Sequence, residues 1–138
     1  MKRWWLATVA CGGVMTLAVQ AADIPELRKG IWQLKKVINK RPYETQQCME
    51  PFVDLLRQHA EQQSSGCDHN VKRLAEDRWE ITSRCRKVNE QGRHWESDAV
   101  TTFVVNSDTS YRMTVTGATH RAPHQESIEA RWMSPCRN

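Results

Sequence analysis

Beyond its first 22 residues, the sequence lacks several motifs that indicate particular chemistries. It has no C-x-x-C pair, which disfavours a cysteine-based zinc site and a redox-active thiol pair. It has no G-x-S-x-G motif, the nucleophile turn of many serine hydrolases. Lysine and arginine are scattered among aspartate and glutamate, without a basic stripe that includes aromatics, so a nucleic-acid partner is disfavoured.

Large apolar side chains are also scarce, with only two phenylalanines and two tyrosines, although there are six tryptophans. A domain of this size buries roughly two-thirds of the surface of its extended chain, so it has a core, but a thin one. We find no internal repeat, low-complexity tract or second domain, and we expect residues 22–138 to form one domain.

The first 21 residues have the layout of a secretory signal peptide. Lys2 and Arg3 precede an uncharged stretch, residues 4–19, and small residues surround the predicted cleavage after Ala21. An uncleaved anchor is disfavoured, because 16 uncharged residues fall short of the about 20 that span a bilayer. A lipid-modified Cys11 is disfavoured, because the apolar stretch continues beyond it. We therefore predict export to the periplasm, and the loss of Lys2 and Arg3 lowers the formal net charge from +4 to +2.

Four cysteines remain after cleavage, and an even number in a small exported domain predicts two disulfides. Alternating side chains on both sides of Glu76 indicate a hairpin that places Cys67 opposite Cys85. Residues directly opposed on two strands are within disulfide range. The predicted pairs are therefore Cys67–Cys85 and, by remainder, Cys48–Cys136.

Side-chain periodicity predicts a mainly β single domain with about seven strands and one short helix. The helix is expected over about 51–62, where Phe52, Leu55, Leu56 and His59 form an apolar stripe after Pro51. We expect an antiparallel meander that curls into a partial barrel or twisted sheet, with the helix packed on it. Predicted breaks between strands include Arg41-Pro42 and a loop over 117–123.

Four tryptophans lie on the inferred inward faces of the strands: Trp32, Trp79, Trp95 and Trp132. They could line a pocket for an apolar or lipid-like ligand, but we favour the interpretation that they fill the core, because other large apolar residues are few. Acidic and basic residues on the opposite faces, namely Glu96, Asp98, Glu129 and Arg131, are expected to form a solvated surface.

The order of these features resembles a known family. Gly30-Ile31-Trp32, Cys48 before a helix that starts with proline, the pair Cys67 and Cys85, and the closing Ser134-Pro135-Cys136 resemble the domain-of-unknown-function family 3617 over most of residues 26–137. This family comprises small exported proteins of Gram-negative bacteria. The sequence departs from the family at Gln33 and Ser134, and the family's methionine-rich strands are reduced to Met113 and Met133. The resemblance implies a periplasmic β-rich domain and supplies no activity.

Histidines provide the other candidate sites. His120 and His124 lie on one predicted loop and would be the ligands of a copper or zinc site, although solvated loop histidines are the favoured interpretation. His59 and His69 could act as general bases beside Asp54 or Asp68, although a packing role is favoured.

The leading hypothesis is a periplasmic, non-enzymatic binding or envelope-interaction module without a cofactor. The sequence does not identify its ligand, and the candidate is an apolar or envelope ligand. The runner-up is a periplasmic copper- or zinc-binding protein, and the third is a hydrolase of unrecognised type. After cleavage of the signal peptide, we expect no membrane-spanning segment.

Overall fold

The computed structural model describes residues 24–63, 65–119 and 122–137, so the predicted signal peptide, residues 1–21, lies outside the described residues. Within this part, seven antiparallel strands form one open sheet and one helix packs on it. The elements are β1 (Gly30–Ile38), β2 (Arg41–Met49), α1 (Pro51–Gln63), β3 (Cys67–Ala75), β4 (Arg78–Val88), β5 (His94–Ser107), β6 (Ser110–Thr119) and β7 (Ala122–Ser134). The predicted mainly β class, strand number and helix are confirmed.

The strand order is β2-β1-β7-β6-β5-β4-β3. Strands β3 to β7 form the expected meander, and β1 joins it by pairing with β7. The meander is broken between β2 and β3, which lie at opposite edges and are connected through α1. The sheet is open, because its two edge strands, β2 and β3, do not pair with each other. The connection between them is a helix on the sheet face, whereas neighbouring strands in a meander are joined by short turns.

The first strand break was predicted two residues too late. The turn between β1 and β2 consists of Asn39 and Lys40, which both have positive φ angles of 48° and 71°. Positive φ at both central residues is typical of a two-residue type I′ hairpin. Pro42 belongs to β2 rather than breaking it, because β2 is an edge strand and its outer side requires no hydrogen-bond donor.

The predicted loop over 117–123 is also wrong, since β6 continues to Thr119 and β7 begins at Ala122. Pro123 lies in β7 at a position where its missing donor is not needed. Asn39, just beyond the end of β1, donates its backbone N–H to the Gln125 carbonyl, and the Gln125 amide donates to the side-chain Oδ1 of Asn39. By strand alternation the nitrogen of Pro123 points to the same side, where β1 has already ended.

An aromatic row forms the centre of the core. Phe52 of α1 lies edge-on against Trp79 of β4 and Phe103 of β5, with ring centroids 5.8 and 5.1 Å away. Phe103 stacks on Tyr111 of β6 at 4.6 Å, and Tyr111 lies 5.2 Å from Trp32 of β1. All five rings are buried, and such contacts stabilise beyond the area they remove from water. We call the face of the sheet that carries these residues the inner face.

Local sequence explains where α1 begins and ends. Pro51 occupies the first turn, and the Asp54 carboxylate accepts a hydrogen bond of 2.8 Å from the Glu50 amide. After the helix, Gly66 has a φ of 91°, and a Cβ there would collide with the carbonyl oxygen of Arg86. Glycine is thus required to turn the chain into β3. No helix in the described ranges is long and apolar enough to cross a membrane.

The segment before β1 closes one end of the core. Ile24 and Leu27 pack against the buried cluster. The backbone carbonyl of Arg28 accepts a 2.9 Å hydrogen bond from the indole of Trp32. The guanidinium of Arg28 lies 2.8 Å from the carboxylate of Asp108. The folded domain therefore includes residues from Ile24 onward.

Two disulfides join Cys67 to Cys85 and Cys48 to Cys136, which are the predicted pairs. Cys67 lies directly opposite Cys85 in the β3–β4 ladder, as the hairpin register predicted. Cys48 belongs to the edge strand β2 and Cys67 to the edge strand β3. Each edge strand is thus covalently attached, and the two bonds flank α1 in the chain.

We predict that removing the longer-range disulfide destabilises the domain more. The bridged cysteines are 88 residues apart in Cys48–Cys136 and 18 apart in Cys67–Cys85. Chain entropy then gives a loss of about 4.5 kcal/mol for the Cys48→Ser/Cys136→Ser variant and about 3 kcal/mol for Cys67→Ser/Cys85→Ser. Urea unfolding would measure both, and a larger loss for the second variant would contradict the prediction.

Candidate functional site

Helix α1 covers only part of the inner face. Phe52 reaches β4 and β5, and His59 reaches β3, so the helix lies over that half of the sheet. Beside it, the inner faces of β1, β7 and β6 contribute to an open cavity of about 390 Å³. We call this cavity the helix–sheet groove. Its volume lies within the about 300–1,000 Å³ of typical small-molecule sites.

The groove has an apolar floor and a mixed wall. The floor comes from inward-facing strand residues, which are Leu34, Thr101, Phe103, Tyr111, Met113, Val115 and Ile128. The wall comes from α1 and the end of β2, with Gln47, Met49, Pro51, Asp54, Leu55 and Gln58. Met113, Val115 and Leu55 are only half-buried, so apolar surface remains accessible in a concave site. Such surface is typical of a binding site for an apolar group.

Lys36 and Glu126 add opposite charges to the groove. By register they are diagonal neighbours on β1 and β7, because Lys36 faces Ile128 and Glu126 faces Ile38. Glu126 lies 3.6 Å from the Nε2 of His124, whereas Lys36 forms no ion pair within the described ranges. Lys36 is half-buried, so its ammonium is available to a ligand at this end of the groove.

Two other depressions fit a small ligand less well. A depression of about 640 Å³ lies on the outer face, but charged and polar residues such as Asp68, Arg84 and Asp98 line much of it. Asp98 is already paired with Arg84 at 3.3 Å. Another depression lies at the β4–β5 turn beside Trp95, and its lining includes Lys87 and Arg93. The helix–sheet groove differs from both in being enclosed by two packed elements over buried aromatic rings.

The four inward-facing tryptophans do not meet in one cavity of the described part. Trp32 and Trp79 belong to the aromatic row and are 0 % and 3 % exposed. Trp132 is half-buried, and its indole donates a 3.3 Å hydrogen bond to the Lys29 carbonyl. Trp95 lies near the other end of the sheet, with the Lys87 ammonium 5.4 Å from its ring. The alternation predicts all four on one face. Trp32 and Trp132 are opposite each other in the β1–β7 ladder, whereas Trp79 and Trp95 lie on β4 and β5.

His59 and His69 meet each other rather than Asp54 or Asp68. Their Nδ1 atoms are 2.6 Å apart, and the Nδ1 of His69 is also 2.8 Å from the Ser83 hydroxyl. Burial, and then the proximity of His69, lowers the pKa of His59 to about 4. Burial also lowers the pKa of His69, although the Asp68 charge opposes this effect. Both rings are therefore neutral at pH 7, and we call this contact the histidine pair.

The metal candidates are only partly described. His124 lies beside Glu126, whereas His120 lies outside the described residues. Across residues 24–63, 65–119 and 122–137, no three His, Cys, Asp or Glu side chains are grouped so as to hold a metal ion. The acidic and basic residues expected on the solvated surface, Glu96, Asp98, Glu129 and Arg131, are exposed.

Sequence reasoning missed the groove, although part of its pattern is visible in the sequence. Met113 and Val115 share a face with Tyr111, and Lys36 shares a face with Trp32 and Leu34. A lysine in an otherwise apolar alternation indicates a charge directed to the inner face. Nothing local indicates which strands the helix leaves uncovered.

A family model described as a protein of unknown function, DUF3617, matches residues 27–136. No curated protein and no solved structure matches the chain.

We expect the free energy of unfolding to fall in mild acid because of the histidine pair. The unfolded chain protonates His59 below about pH 6.5, whereas the folded chain resists this until about pH 4. The contribution of the neutral His59 to the free energy of unfolding is therefore fully present above pH 6.5, and it is lost as the pH falls to 4. Because the ring is partly solvated, we expect a loss of about 1 to 2 kcal/mol. Urea unfolding at several pH values would measure this loss in the wild type and in His59→Gln. An equal fall in the free energy of unfolding with pH in both proteins would contradict the prediction.

Proposed function

The chain belongs to the DUF3617 family, and we propose that it is an exported, periplasmic, non-enzymatic module that binds a single-chain amphiphile in the helix–sheet groove. The observation that carries the proposal is the half-buried apolar surface of Met113, Val115 and Leu55 beside α1. Contiguous apolar surface in a groove is typical of a ligand-binding site. An acyl chain would remove it from water at about 25 cal/mol per Å².

Two charged side chains support a proposal for the polar end of the ligand. Lys36 and Glu126 lie at the same end of the groove, and Lys36 is half-buried without an ion pair in the described ranges. A carboxylate or phosphate head group would give this ammonium a partner. The buried rings of Phe103 and Tyr111 form the floor, so the chain would lie over them. We therefore propose that the acyl chain lies along the floor and the head group lies at Lys36.

Export is supported by the sequence of residues 1–21 and by the two disulfides, which persist in oxidising compartments. A ligand with an acyl chain is abundant in the bacterial envelope, which agrees with this location.

The hydrolase alternative would rest on the 2.8 Å contact between Ser83 and His69, a distance suited to a nucleophile and its base. We propose a structural role instead, because the histidine pair lies between helix and sheet and the Nε2 of His69 is buried without a partner. A catalytic base needs a path by which its proton leaves.

Blocking the groove should prevent acyl binding. We expect Met113→Trp to fill the floor with an indole and to weaken binding of a dansyl-labelled fatty acid by about tenfold or more, as expected for loss of a filled apolar pocket. The matched control is Thr114→Trp, which introduces the same side chain at the exposed neighbouring position on the outer face. Fluorescence titration of the full mature chain would measure both affinities.

Failure of the wild type to bind the labelled fatty acid, or equal weakening by both tryptophans, would overturn the proposed function. Circular dichroism of each variant verifies that it is folded. Competition by unlabelled fatty acids and lysophospholipids would then identify the preferred head group.

A further inference from the structure

We propose that the histidine pair is an acid-sensitive latch, which holds the C-terminal half of α1 on β3 and releases it when both imidazoles become protonated. This inference concerns the mobility of the helix and does not depend on the identity of a ligand. It rests on three observations: the position of His59 in α1, the hydrogen bond between the two imidazoles, which needs one ring nitrogen without a proton, and the charges around the pair.

The pair attaches the C-terminal half of the helix to β3. The first half is fixed by Phe52, which is 2 % exposed in the aromatic row. From Arg57 to Gln63 the side chains are exposed, except for His59 and Gln62, which are half-buried. Within that segment, His59 contacts His69 of β3 directly, through both a 2.6 Å Nδ1–Nδ1 contact and edge-on rings. Loss of this contact would weaken the attachment of the helix end to β3.

The hydrogen bond between the two Nδ1 atoms requires that only one of them carries a proton. When both rings are neutral, one Nδ1 donates and the other accepts across 2.6 Å. When both rings are charged, each Nδ1 carries a proton and neither can accept. His69 then keeps the Ser83 hydroxyl as an acceptor at 2.8 Å, whereas His59 loses the acceptor that held it. Two positive rings this close also repel each other.

Asp68 offsets part of that repulsion, because its negative charge favours the protonated form of His69, and the other neighbours add little. On α1, the residues one turn from His59 are uncharged, namely Leu55, Leu56, Gln62 and Gln63, and the flanking charges are Arg57 and Glu61. On the inner face, the neighbours of His69 in β3 are Cys67 and Val71, and those of Ser83 in β4 are Ile81 and Cys85. Asp68 and Arg84 lie opposite each other on the outer face. Positive and negative groups are thus balanced around the pair.

Release would reach the helix–sheet groove, because α1 supplies part of its wall. Gln58, next to His59, lines the groove together with Asp54 and Leu55. A helix that loosens after Leu56 would widen the groove at Gln58 while Phe52 keeps the first half in place. We therefore infer that acid increases exchange of whatever the groove holds.

Hydrogen exchange of the full mature chain tests the latch. We expect the amides of residues 57–63 to exchange about tenfold or more faster at pH 4.5 than at pH 7.5, after correction for intrinsic rates. The amides of β1 and β7 should change much less. In His59→Gln, whose amide stays neutral, this pH effect should shrink to about twofold. His94→Gln is the control, because His94 is exposed at the start of β5, and it should behave as wild type.

Equal protection of residues 57–63 at both pH values would overturn the latch, as would a full pH response in His59→Gln or its loss in His94→Gln. Should His59→Gln fold poorly, NMR titration of the wild-type imidazoles decides. The midpoint of the His59 ring should coincide with that of the amide exchange, and separate midpoints would overturn the proposal. Either result is independent of fatty-acid binding, so failure of the latch is distinguishable from failure of the groove.

Discussion

The position of Phe52 in the aromatic row determines the rest of the structure. The inner face offers few large apolar residues, and Phe52 joins the rings of Trp79 and Phe103 through edge-on contacts. Its burial fixes α1 over β4 and β5, although the helix connects two strands at opposite edges of the sheet. The uncovered half of the inner face and the meeting of His59 with His69 both follow from that placement. A helix fixed elsewhere would leave neither a groove at Lys36 nor a histidine pair.

Much of the fold could be predicted because it is encoded locally. Alternation in β4 identified the inward side chains Trp79 and Ile81, and the same register brought Cys67 opposite Cys85. The stripe that begins at Phe52 predicted the helix to within a residue of its observed end. The predictions that are wrong are the strand break at Arg41-Pro42 and the loop that ends at Pro123. Whether proline interrupts a strand depends on whether another strand needs its donor, and that is decided by residues far away in the chain.

The candidate site was harder to predict, for a related reason. Alternation shows which face a residue occupies, but not whether the helix covers it. Trp79 and Trp95 share a face, yet one is in the core and the other lies near the β4–β5 turn. The histidine pair joins residues from two elements that meet only because the helix crosses the sheet. Proximity along the chain suggests Asp54 or Asp68 as partners of these histidines, whereas Asp54 in fact caps the helix.

The two disulfides give the helix an unusual kind of freedom. Cys48 and Cys67 lie on either side of α1, and each is bonded to a partner outside the helix. A helix at a chain terminus could swing away completely, whereas this one has both of its ends tethered to the sheet. Any departure from the sheet is therefore short in reach, and the effective concentration of the detached segment stays high. The helix can therefore detach and rebind repeatedly while the disulfides keep the edge strands β2 and β3 attached to the sheet. This attachment prevents the edge strands from being swapped with those of another molecule.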